Sequence, residues 1–323
     1  MKIVITGSNG FLGHNVLNEL PKIIPSAEIS KLVRSKSQKS DEYSIDFNNL
    51  DSLIQCETLQ RADVVIHLAG ATKGIIKKDF QNGNVIPTRN LLEALLRMNP
   101  NIKRFVYISS ITAVGPSRSY EHHRSEDEEP IPVELYGKSK LEAEKIVQSY
   151  GYAIPYTILR PGAVYGPYDA DFLNIFKMTR FKLNIYPGYK HNYFSYIYAL
   201  DVVRAIGKVI LTEQTQNQTY FICNDMPVSW KEIHELIFKT AGSSAISLNL
   251  PAGLLRGISY FSIIPSLLFN TVPILNPQKM ILSVQKYWIV SNEKAKREMN
   301  FTPSYTLEDG LRLTHEWYKQ EKY

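Results

Sequence analysis

The chain has 323 residues, of which 44% are hydrophobic and 21% charged, so it can bury a large core and does not have the composition of a disordered protein. Its net charge is +6, but the Lys and Arg residues are scattered and no recognition motif accompanies them, which argues against a nucleic-acid partner. Cys56 and Cys223 form neither a CxxC pair nor a metal-ligand spacing with His, which predicts reduced thiols in a cytoplasmic protein and no metal site.

The first half of the chain alternates short apolar runs with segments of helical periodicity. The runs are rich in Val and Ile and almost continuously hydrophobic, as in parallel strands that are buried on both faces. The predicted strands are 2–6, 29–34, 64–69, 105–109 and 157–160, and predicted helices include 14–20, 88–98 and 136–150. The N-terminal MKIVITGSNG therefore predicts a strand that enters a loop, and not a signal peptide. This alternation predicts an α/β fold with a Rossmann-type, doubly wound parallel sheet.

The pattern loosens after about Gly166, where aromatic residues and prolines become frequent. We predict a dinucleotide-binding domain at 1–166 and a smaller, mixed substrate-binding lobe mainly at 167–323, with a segment at about 195–211 returning to the main sheet. The segment 250–275 is strongly apolar, but prolines interrupt it and Arg256 is its only charge. We expect buried helices that line an apolar pocket rather than a membrane span, with contact to a membrane surface as the alternative.

A glycine-rich loop, TGSNGFLG at 6–13, follows the first predicted strand and precedes an apolar helix. Glycines there let the backbone approach the phosphates of a dinucleotide, and the helix N-terminus supplies N–H groups and partial positive charge. The glycines at 7, 10 and 13 have the spacing GxxGxxG rather than GxGxxG. Such a loop can also be an ordinary turn, but its place at the start of an α/β chain favours a dinucleotide site.

The end of the second predicted strand indicates which dinucleotide is bound. A residue about 20 positions beyond the last glycine contacts the adenosine ribose, and an acid there favours NAD. This sequence has Arg34, with Lys36 close by. Because a guanidinium suits a 2′-phosphate, we expect NADP(H) to be slightly favoured over NAD(H). The alternative is a surface Arg that stacks on adenine without any preference.

Two further features indicate acid–base chemistry. Tyr136 and Lys140 are four residues apart on a predicted helix, so the phenol and the ammonium share one face. A nearby cation favours the phenolate and lowers the pKa of a tyrosine, which makes Tyr136 a usable general acid or base. Ser110 follows the fourth predicted strand, at the edge where open α/β sheets form active sites. Taken alone, each is also compatible with a chance pair on an exposed helix or a serine that ends a strand.

Together these features resemble the extended branch of the short-chain dehydrogenase/reductase family, the NAD-dependent epimerase/dehydratase type. The resemblance covers nearly the whole chain and rests on six segments in the order of the family. They are TGSNGFLG (6–13), VVIHLAGAT (64–72), FVYISSITAVG (105–115), YGKSKLEAEKIV (136–147), ILRPGAVYGP (158–167) and SNEKAKREMNFTPSYTLEDGLRLTHEWY (291–318).

The resemblance implies roles for individual residues. Tyr136 would donate or accept the proton, and Lys140 would hold the nicotinamide ribose and lower the tyrosine pKa. Ser110 would orient the substrate oxygen, with Thr112 as a second candidate. The cofactor contacts, including Asp46 at adenine and Asn84 in a helix that orders the site, would be Gly7, Asn9, Gly10, Phe11, Leu12, Gly13, Arg34, Asp46, Leu68, Ala69, Gly70, Asn84, Ser109, Tyr136, Lys140, Pro161, Ala163 and Val164. A homodimer is implied by analogy only.

The substrate class rests on one segment. Nucleotide-sugar enzymes of this family usually carry an Arg-Asp pair before an aromatic-Ile-His/Tyr segment, and here Phe194-Ser195 precedes Tyr-Ile-Tyr, without the Arg. This form resembles 3β-hydroxysteroid dehydrogenases and dihydroflavonol reductases. It implies an NAD(P)-dependent oxidoreductase that interconverts a secondary alcohol and a ketone on a lipophilic substrate, such as a sterol or a long-chain keto-lipid. The alternatives are a nucleotide-sugar epimerase with tightly bound NAD and a non-catalytic cofactor-binding protein on the same fold.

Overall fold

The computed structural model describes residues 1–35, 39–187, 191–244, 246–250 and 277–321. The strands in these ranges are β1 Lys2–Thr6, β2 Glu28–Val33, β3 Glu42–Ser44, β4 Val64–His67, β5 Arg104–Ile108, β6 Tyr156–Pro161, β7 Ala163–Tyr165, β8 Leu183–Pro187, β9 Tyr193–Phe194, β10 Tyr196–Tyr198, β11 Gln218–Ile222, β12 Val228–Ser229, β13 Ile246–Leu250 and β14 Tyr287–Trp288.

The α-helices of the same ranges are α1 Phe11–Ile23, α2 Leu50–Ile54, α3 Glu57–Gln60, α4 Lys77–Phe80, α5 Ile86–Met98, α6 Leu135–Ser149, α7 Ala170–Thr179, α8 Ala199–Leu211, α9 Trp230–Thr240, α10 Pro277–Ser283, α11 Glu293–Met299 and α12 Leu307–Gln320. A π-helix, Gln81–Val85, joins α4 to α5, and 3-10 helices lie at Ile111–Ala113 and Glu213–Thr215.

Seven parallel strands form the central sheet, in the order β11-β6-β5-β4-β1-β2-β3. The chain proceeds from β1 to β3 in one direction and from β4 outwards in the other. The strand order therefore reverses between β1 and β4, and ligands of open α/β sheets bind outside the carboxyl ends of the strands at such a point. Thr6 at the end of β1 pairs with Leu32 on one side and His67 on the other, so the three strands end together. The predicted doubly wound fold is confirmed.

Alternation along the buried strands divides the core between the two faces of the sheet. Ile3 and Ile5 of β1 face α1 and α8, whereas Val4 between them faces the layer that contains α5 and α6. All three side chains are at most 1% exposed, which explains why the strand reads as one continuous apolar run. Apolar side chains of α6, the helix of Tyr136, belong to the second of these clusters, together with side chains of β5 and β6.

Segments after residue 166 return to the sheet at two places. Helix α8 packs on the face that carries α1, and its apolar side chains belong to the same core cluster. Strand β11 pairs with β6 and forms one edge of the sheet. Neither β11 nor β3 was among the predicted strands. Strand β3 is only three residues long, and two of them are exposed, so its sequence carries no hydrophobic signal.

The remaining elements form a smaller, mixed lobe. Strands β12, β9 and β14 form one small sheet, β8 pairs with β13, and α7, α9 and α12 enclose an aromatic core. Of the apolar segment 250–275, only Leu250 lies within the described residues, where it ends β13. No helix in the described part of the chain is long and apolar enough to cross a membrane. Cys56 and Cys223 are both buried and free.

Candidate active site

The glycine loop leaves the end of β1 at the point where the strand order reverses. Gly7 has a φ of +74°, and a Cβ there would lie 2.6 Å from the backbone nitrogen of Ala69. A Cβ on Gly13 would lie 2.3 Å from the carbonyl oxygen of Gly7. The backbone of the loop is therefore in close contact with the end of β4 at Gly7 and with α1 at Gly13. Only glycine fits at either position. Gly10 caps the N-terminus of α1, where the half-buried side chains of Phe11 and Leu12 follow.

A cleft of about 470 Å³ opens above this loop. Its walls come from the ends of β1, β2 and β4 and from the π-helix, and they consist of Gly7, Ser8, Asn9, Gly10, Leu32, Val33, Arg34, Ser35, Phe47, Asn48, Leu68, Ala69, Gly70, Ala71, Asn82, Gly83 and Pro87. The hydroxyl of Ser8 is buried and has no hydrogen-bond partner among the described residues. Because buried polar groups are normally paired, an unpaired hydroxyl in a glycine loop fits a phosphate group of a dinucleotide.

Arg34, from which the sequence analysis predicted a preference for NADP(H), lies at the expected adenosine end of the cleft. Arg34 is exposed and lines the cleft beside Ser35. Lys36 lies outside the described residues. Asp46 is exposed, and its carboxylate accepts a hydrogen bond from the N–H of Asn48, which lines the cleft. Asp46 thus orders the wall next to the expected adenine position and does not itself line it.

A buried histidine joins the cofactor loop to the helix on the other side of the cleft. His67 Nδ1 lies 2.6 Å from the hydroxyl of Thr6, and Nε2 lies 3.0 Å from that of Thr88. Thr88 donates its proton to the carbonyl of Asn84, so His67 Nε2–H must donate to Thr88 and Nδ1 must accept from Thr6. Burial lowers the pKa of His67 to about 3, so the ring is neutral at physiological pH.

Asn84 extends this network towards α6. Its side chain accepts from the N–H of Ala71 at 2.7 Å and donates to the hydroxyl of Ser139 at 2.8 Å. Asn84 lies in the π-helix, and such local departures from α-helical geometry often occur at functional sites. The residue therefore connects the loop after β4 to α6.

The four candidate catalytic residues lie just after the end of β5 and in the first two turns of α6. Ser110 Oγ accepts hydrogen bonds from the hydroxyl of Thr112 at 3.0 Å and from its N–H at 3.2 Å. The Tyr136 hydroxyl hydrogen bonds with the Ser110 side chain. One turn further along α6, the ammonium of Lys140 donates to the carbonyl of Ile108 at 2.6 Å and lies 4.3 Å from the centroid of the Tyr107 ring.

The electrostatics of this pair differ from the sequence expectation. We expected Lys140 to lower the pKa of Tyr136. Burial, and then the charge of Glu134, instead raise that pKa well above its usual value, and the hydrogen bond with Ser110 opposes them. The ammonium of Lys140 is directed at a backbone carbonyl, and burial lowers its own pKa to about 7. The expected direction was wrong for this arrangement because burial disfavours both charged groups.

Two residues that the sequence interpretation missed fix the start of α6, the helix of Tyr136. Glu134 is the N-cap of α6, and its carboxylate accepts hydrogen bonds from the N–H groups of Tyr136 and Gly137. Gln278 of α10 accepts a 3.0 Å hydrogen bond from the N–H of Leu135, 143 residues away in the chain. Together they satisfy N–H groups that a helix start leaves without partners. A glutamate before a helix is only a weak capping signal, because Ser, Thr, Asp and Asn are the usual N-caps, and Gln278 carries no signal.

Further along α6, a buried ion pair joins the helix to β6. Arg160 donates two hydrogen bonds to the carboxylate of Glu144, at 3.0 and 2.7 Å, and both side chains are at most 5% exposed. Beyond Arg160, Pro161 is the buried last residue of β6, and Ala163 and Val164 are half-buried in β7. Ser109 is buried at the end of β5, and its hydroxyl has no partner within the described ranges. The ion pair fixes α6 on β6 one turn beyond Lys140.

Known proteins resemble this chain over its whole length. The model of the NAD dependent epimerase/dehydratase family matches residues 3–223. The sterol-4-alpha-carboxylate 3-dehydrogenase (decarboxylating) of Saccharomyces cerevisiae is 26% identical over 98% of this chain and 97% of its own. The 4-hydroxy-2-methyl-3-oxo-4-farnesyl-3,4-dihydroquinoline-1-oxide ketoreductase of Stigmatella aurantiaca is 24% identical over 96% and 95%. The UDP-glucose 4-epimerase of Thermotoga maritima has a similar fold, with a TM-score of 0.81, 22% identity and full coverage of both chains.

Proposed function

This chain belongs to the NAD-dependent epimerase/dehydratase family, and on that premise we propose that it interconverts a secondary alcohol and a ketone on a lipophilic substrate. It is an NAD(P)-dependent oxidoreductase of the extended short-chain dehydrogenase/reductase type. In this proposal residues 1–166 hold the cofactor, and 167–323 mainly hold the substrate. Helix α8 and strand β11 belong structurally with the first part.

The catalytic steps follow from the positions of four side chains. When bound, the reduced cofactor supplies a hydride to the carbonyl carbon of the substrate. The Tyr136 hydroxyl donates a proton to the carbonyl oxygen, so that ketone, hydride and proton give the alcohol. Ser110 hydrogen bonds with the Tyr136 side chain and, with Thr112 beside it, polarises the same oxygen. Lys140, whose ammonium donates to the carbonyl of Ile108, would hold the nicotinamide ribose.

The nature of the substrate rests on Phe194. At the place where the nucleotide-sugar enzymes that this chain resembles carry an arginine, the side chain of Phe194 is buried, with its ring centroid 4.8 Å from that of Trp230. The adjacent Ser195 is 1% exposed and is bonded to the backbone of Val290. Neither residue can offer a positive charge to a diphosphate, which argues against a nucleotide-sugar substrate.

Two relatives support this assignment by the molecules in their names. One is a dehydrogenase of a sterol carboxylate and the other reduces a quinoline that carries a farnesyl group. The likeness to a UDP-glucose 4-epimerase lies in the fold, which hosts many activities.

The test is oxidation of NADPH and NADH by the purified enzyme against ketosteroids, long-chain keto-lipids and nucleotide sugars. We expect a ketone of one of the two lipophilic classes to cause stoichiometric loss of absorbance at 340 nm, the reduced-cofactor band. A nucleotide sugar that is epimerised with no added cofactor and no net absorbance change would overturn the proposal in favour of the epimerase.

Cofactor choice is a separate proposal, carried by the exposed Arg34 in the wall of the cleft. Replacing Arg34 with Ala should raise the KM for NADPH about tenfold, since a charge-assisted hydrogen bond contributes about 1.5 kcal/mol or more. The KM for NADH should not change. Initial rates with both cofactors measure this, and Arg61→Ala, an exposed arginine outside the cleft, is the matched control. Equal weakening of both cofactors would instead indicate stacking on adenine.

A further inference from the structure

The ammonium of Lys140 is buried beside a backbone carbonyl and not beside an acid. Lys140 is 3% exposed, and in the described part of the chain its ammonium donates one hydrogen bond, to the carbonyl of Ile108 at 2.6 Å. An ammonium has three N–H donors, and burying its charge is costly unless the charge is compensated. The charged form therefore needs a further source of stabilisation.

The acid one turn further along α6 is already paired. Glu144 lies four residues after Lys140, and its carboxylate accepts two hydrogen bonds from Arg160, at 3.0 and 2.7 Å. Within the described ranges no carboxylate forms an ion pair with Lys140. The charge of Glu144 favours the ammonium through space, but the guanidinium of Arg160 compensates that charge at closer range.

The face of the Tyr107 ring is the second group in contact with the ammonium. Nζ of Lys140 lies 4.3 Å from the centroid of this ring. Tyr107 is fully buried in β5 and directly precedes Ile108, so one strand supplies both contacts. The quadrupole of an aromatic ring attracts a cation over its face, and the attraction is strongest when both groups are removed from water, as they are here.

The ammonium held in this way lies behind the wall of the cofactor cleft. Gly70 lines the cleft, and a Cβ at this residue would lie 3.9 Å from Nζ of Lys140. The same Cβ would lie 2.9 Å from Oδ1 of Asn84. Glycine at this position therefore leaves room between the ammonium and a bound dinucleotide.

We propose that Tyr107 is a positioning residue, and that the face of its ring stabilises the charged form of Lys140 and holds the ammonium where it would bind the nicotinamide ribose. This inference rests on the proposed function, in which Lys140 holds that ribose. Tyr107 also packs in the core, which any large apolar side chain could do. The role proposed here requires the electron-rich face of the ring and not only its volume.

The titration of Lys140 can be followed without interference from its neighbours. In the described residues the charged or titratable groups around the ammonium are His67 on β4, Tyr107 on β5, Tyr136 and Glu144 on α6, and Arg160 on β6. Burial keeps His67 neutral and both tyrosines protonated near neutral pH. Burial also lowers the pKa of Lys140 to about 7. Because the ring favours the charged form, removing the ring should lower this pKa further.

Substitutions at position 107 separate the face of the ring from its volume. Tyr107→Phe keeps an electron-rich face, a trifluorinated phenylalanine at the same position keeps nearly the same shape without that face, and Tyr107→Leu removes the ring. Phe105→Leu is the matched control. Phe105 is equally buried two residues earlier, on the same face of β5, and belongs to the same core cluster.

Two measurements report on the ammonium. The first is the pH titration of the Lys140 Cε resonance by NMR, in cofactor-free enzyme labelled with carbon-13 lysine, with Lys140→Met to assign it. The second is the affinity for NADPH at neutral pH, by isothermal titration calorimetry. We expect Tyr107→Phe and Phe105→Leu to match the wild type. The fluorinated and Leu variants should titrate about one pH unit lower and bind NADPH about five- to tenfold more weakly.

A fluorinated variant with the midpoint and the NADPH affinity of Tyr107→Phe would overturn the inference, because the ring would then only fill the core. This variant keeps the volume of the side chain, so it decides the matter even where Tyr107→Leu does not fold. The NMR titration needs neither substrate nor turnover. A lowered midpoint with no active ketone would therefore refute the proposed function and leave the contact of Tyr107 with Lys140 standing, and an unchanged midpoint in an active ketone reductase would do the reverse.

Discussion

Tyr136→Phe should lower kcat for ketone reduction about 100- to 10,000-fold, the usual contribution of a positioned general acid. The substitution removes only the hydroxyl, which is hydrogen bonded with Ser110 in the cluster at the ends of β5 and α6. The Phe80 ring, 6.2 Å away between centroids, remains in contact with the aromatic ring, so the fold should not change. Single-turnover kinetics at saturating NADPH measure the loss directly.

The affinity of the Tyr136→Phe variant for NADPH distinguishes a loss of proton donation from a loss of cofactor binding. We expect the Phe variant to bind NADPH in a fluorescence titration, because the glycine loop and the cleft walls are unaffected. Tyr152→Phe is the matched control, since Tyr152 is 80% exposed just beyond the end of α6. Turnover by the Tyr136→Phe variant at the wild-type rate would refute the mechanism, and loss of NADPH binding would indicate that the hydroxyl mainly holds the cofactor.

The second large effect is expected at Gly13. A Cβ there would lie 2.3 Å from the carbonyl oxygen of Gly7 and 2.6 Å from that of Ser8, so the loop backbone must move. Gly13→Ala should weaken NADPH binding about 100-fold or more, because displacing the loop removes at least two charge-assisted hydrogen bonds to phosphate, about 3 kcal/mol together. Isothermal titration calorimetry with NADPH would measure the loss.

A graded control is available in the same loop. A Cβ on Gly10 would meet the oxygen of Gly7 at 3.3 Å, a contact that a small shift relieves, and its φ of −87° suits alanine. Gly10→Ala should therefore weaken binding much less than Gly13→Ala. Circular dichroism and thermal unfolding establish that both variants are folded. Equal affinities for the two folded variants would show that the close approach of loop and helix is not what binds the phosphates.

The local parts of the molecule could be predicted from the sequence. The strands around β1, the helix of Tyr136 and the glycine loop all follow from spacings within a dozen residues. Continuous apolar runs require burial on both faces, and a Tyr and a Lys four residues apart must share a helix face. Because those rules depend only on backbone geometry, the fold class and the neighbourhood of Tyr136 and Lys140 were determined by the sequence alone.

The pKa of Tyr136 was decided by tertiary structure. The sequence places Lys140 one turn from Tyr136 and so predicts a lowered tyrosine pKa, but burial and Glu134 reverse the direction. Gln278 reaches the start of α6 across 143 residues, and β11 joins the sheet beside β6 from the far side of residue 166. Desolvation and long-range contacts depend on which distant segments of the chain pack over a site. The spacing of residues within one helix does not indicate which segments those are.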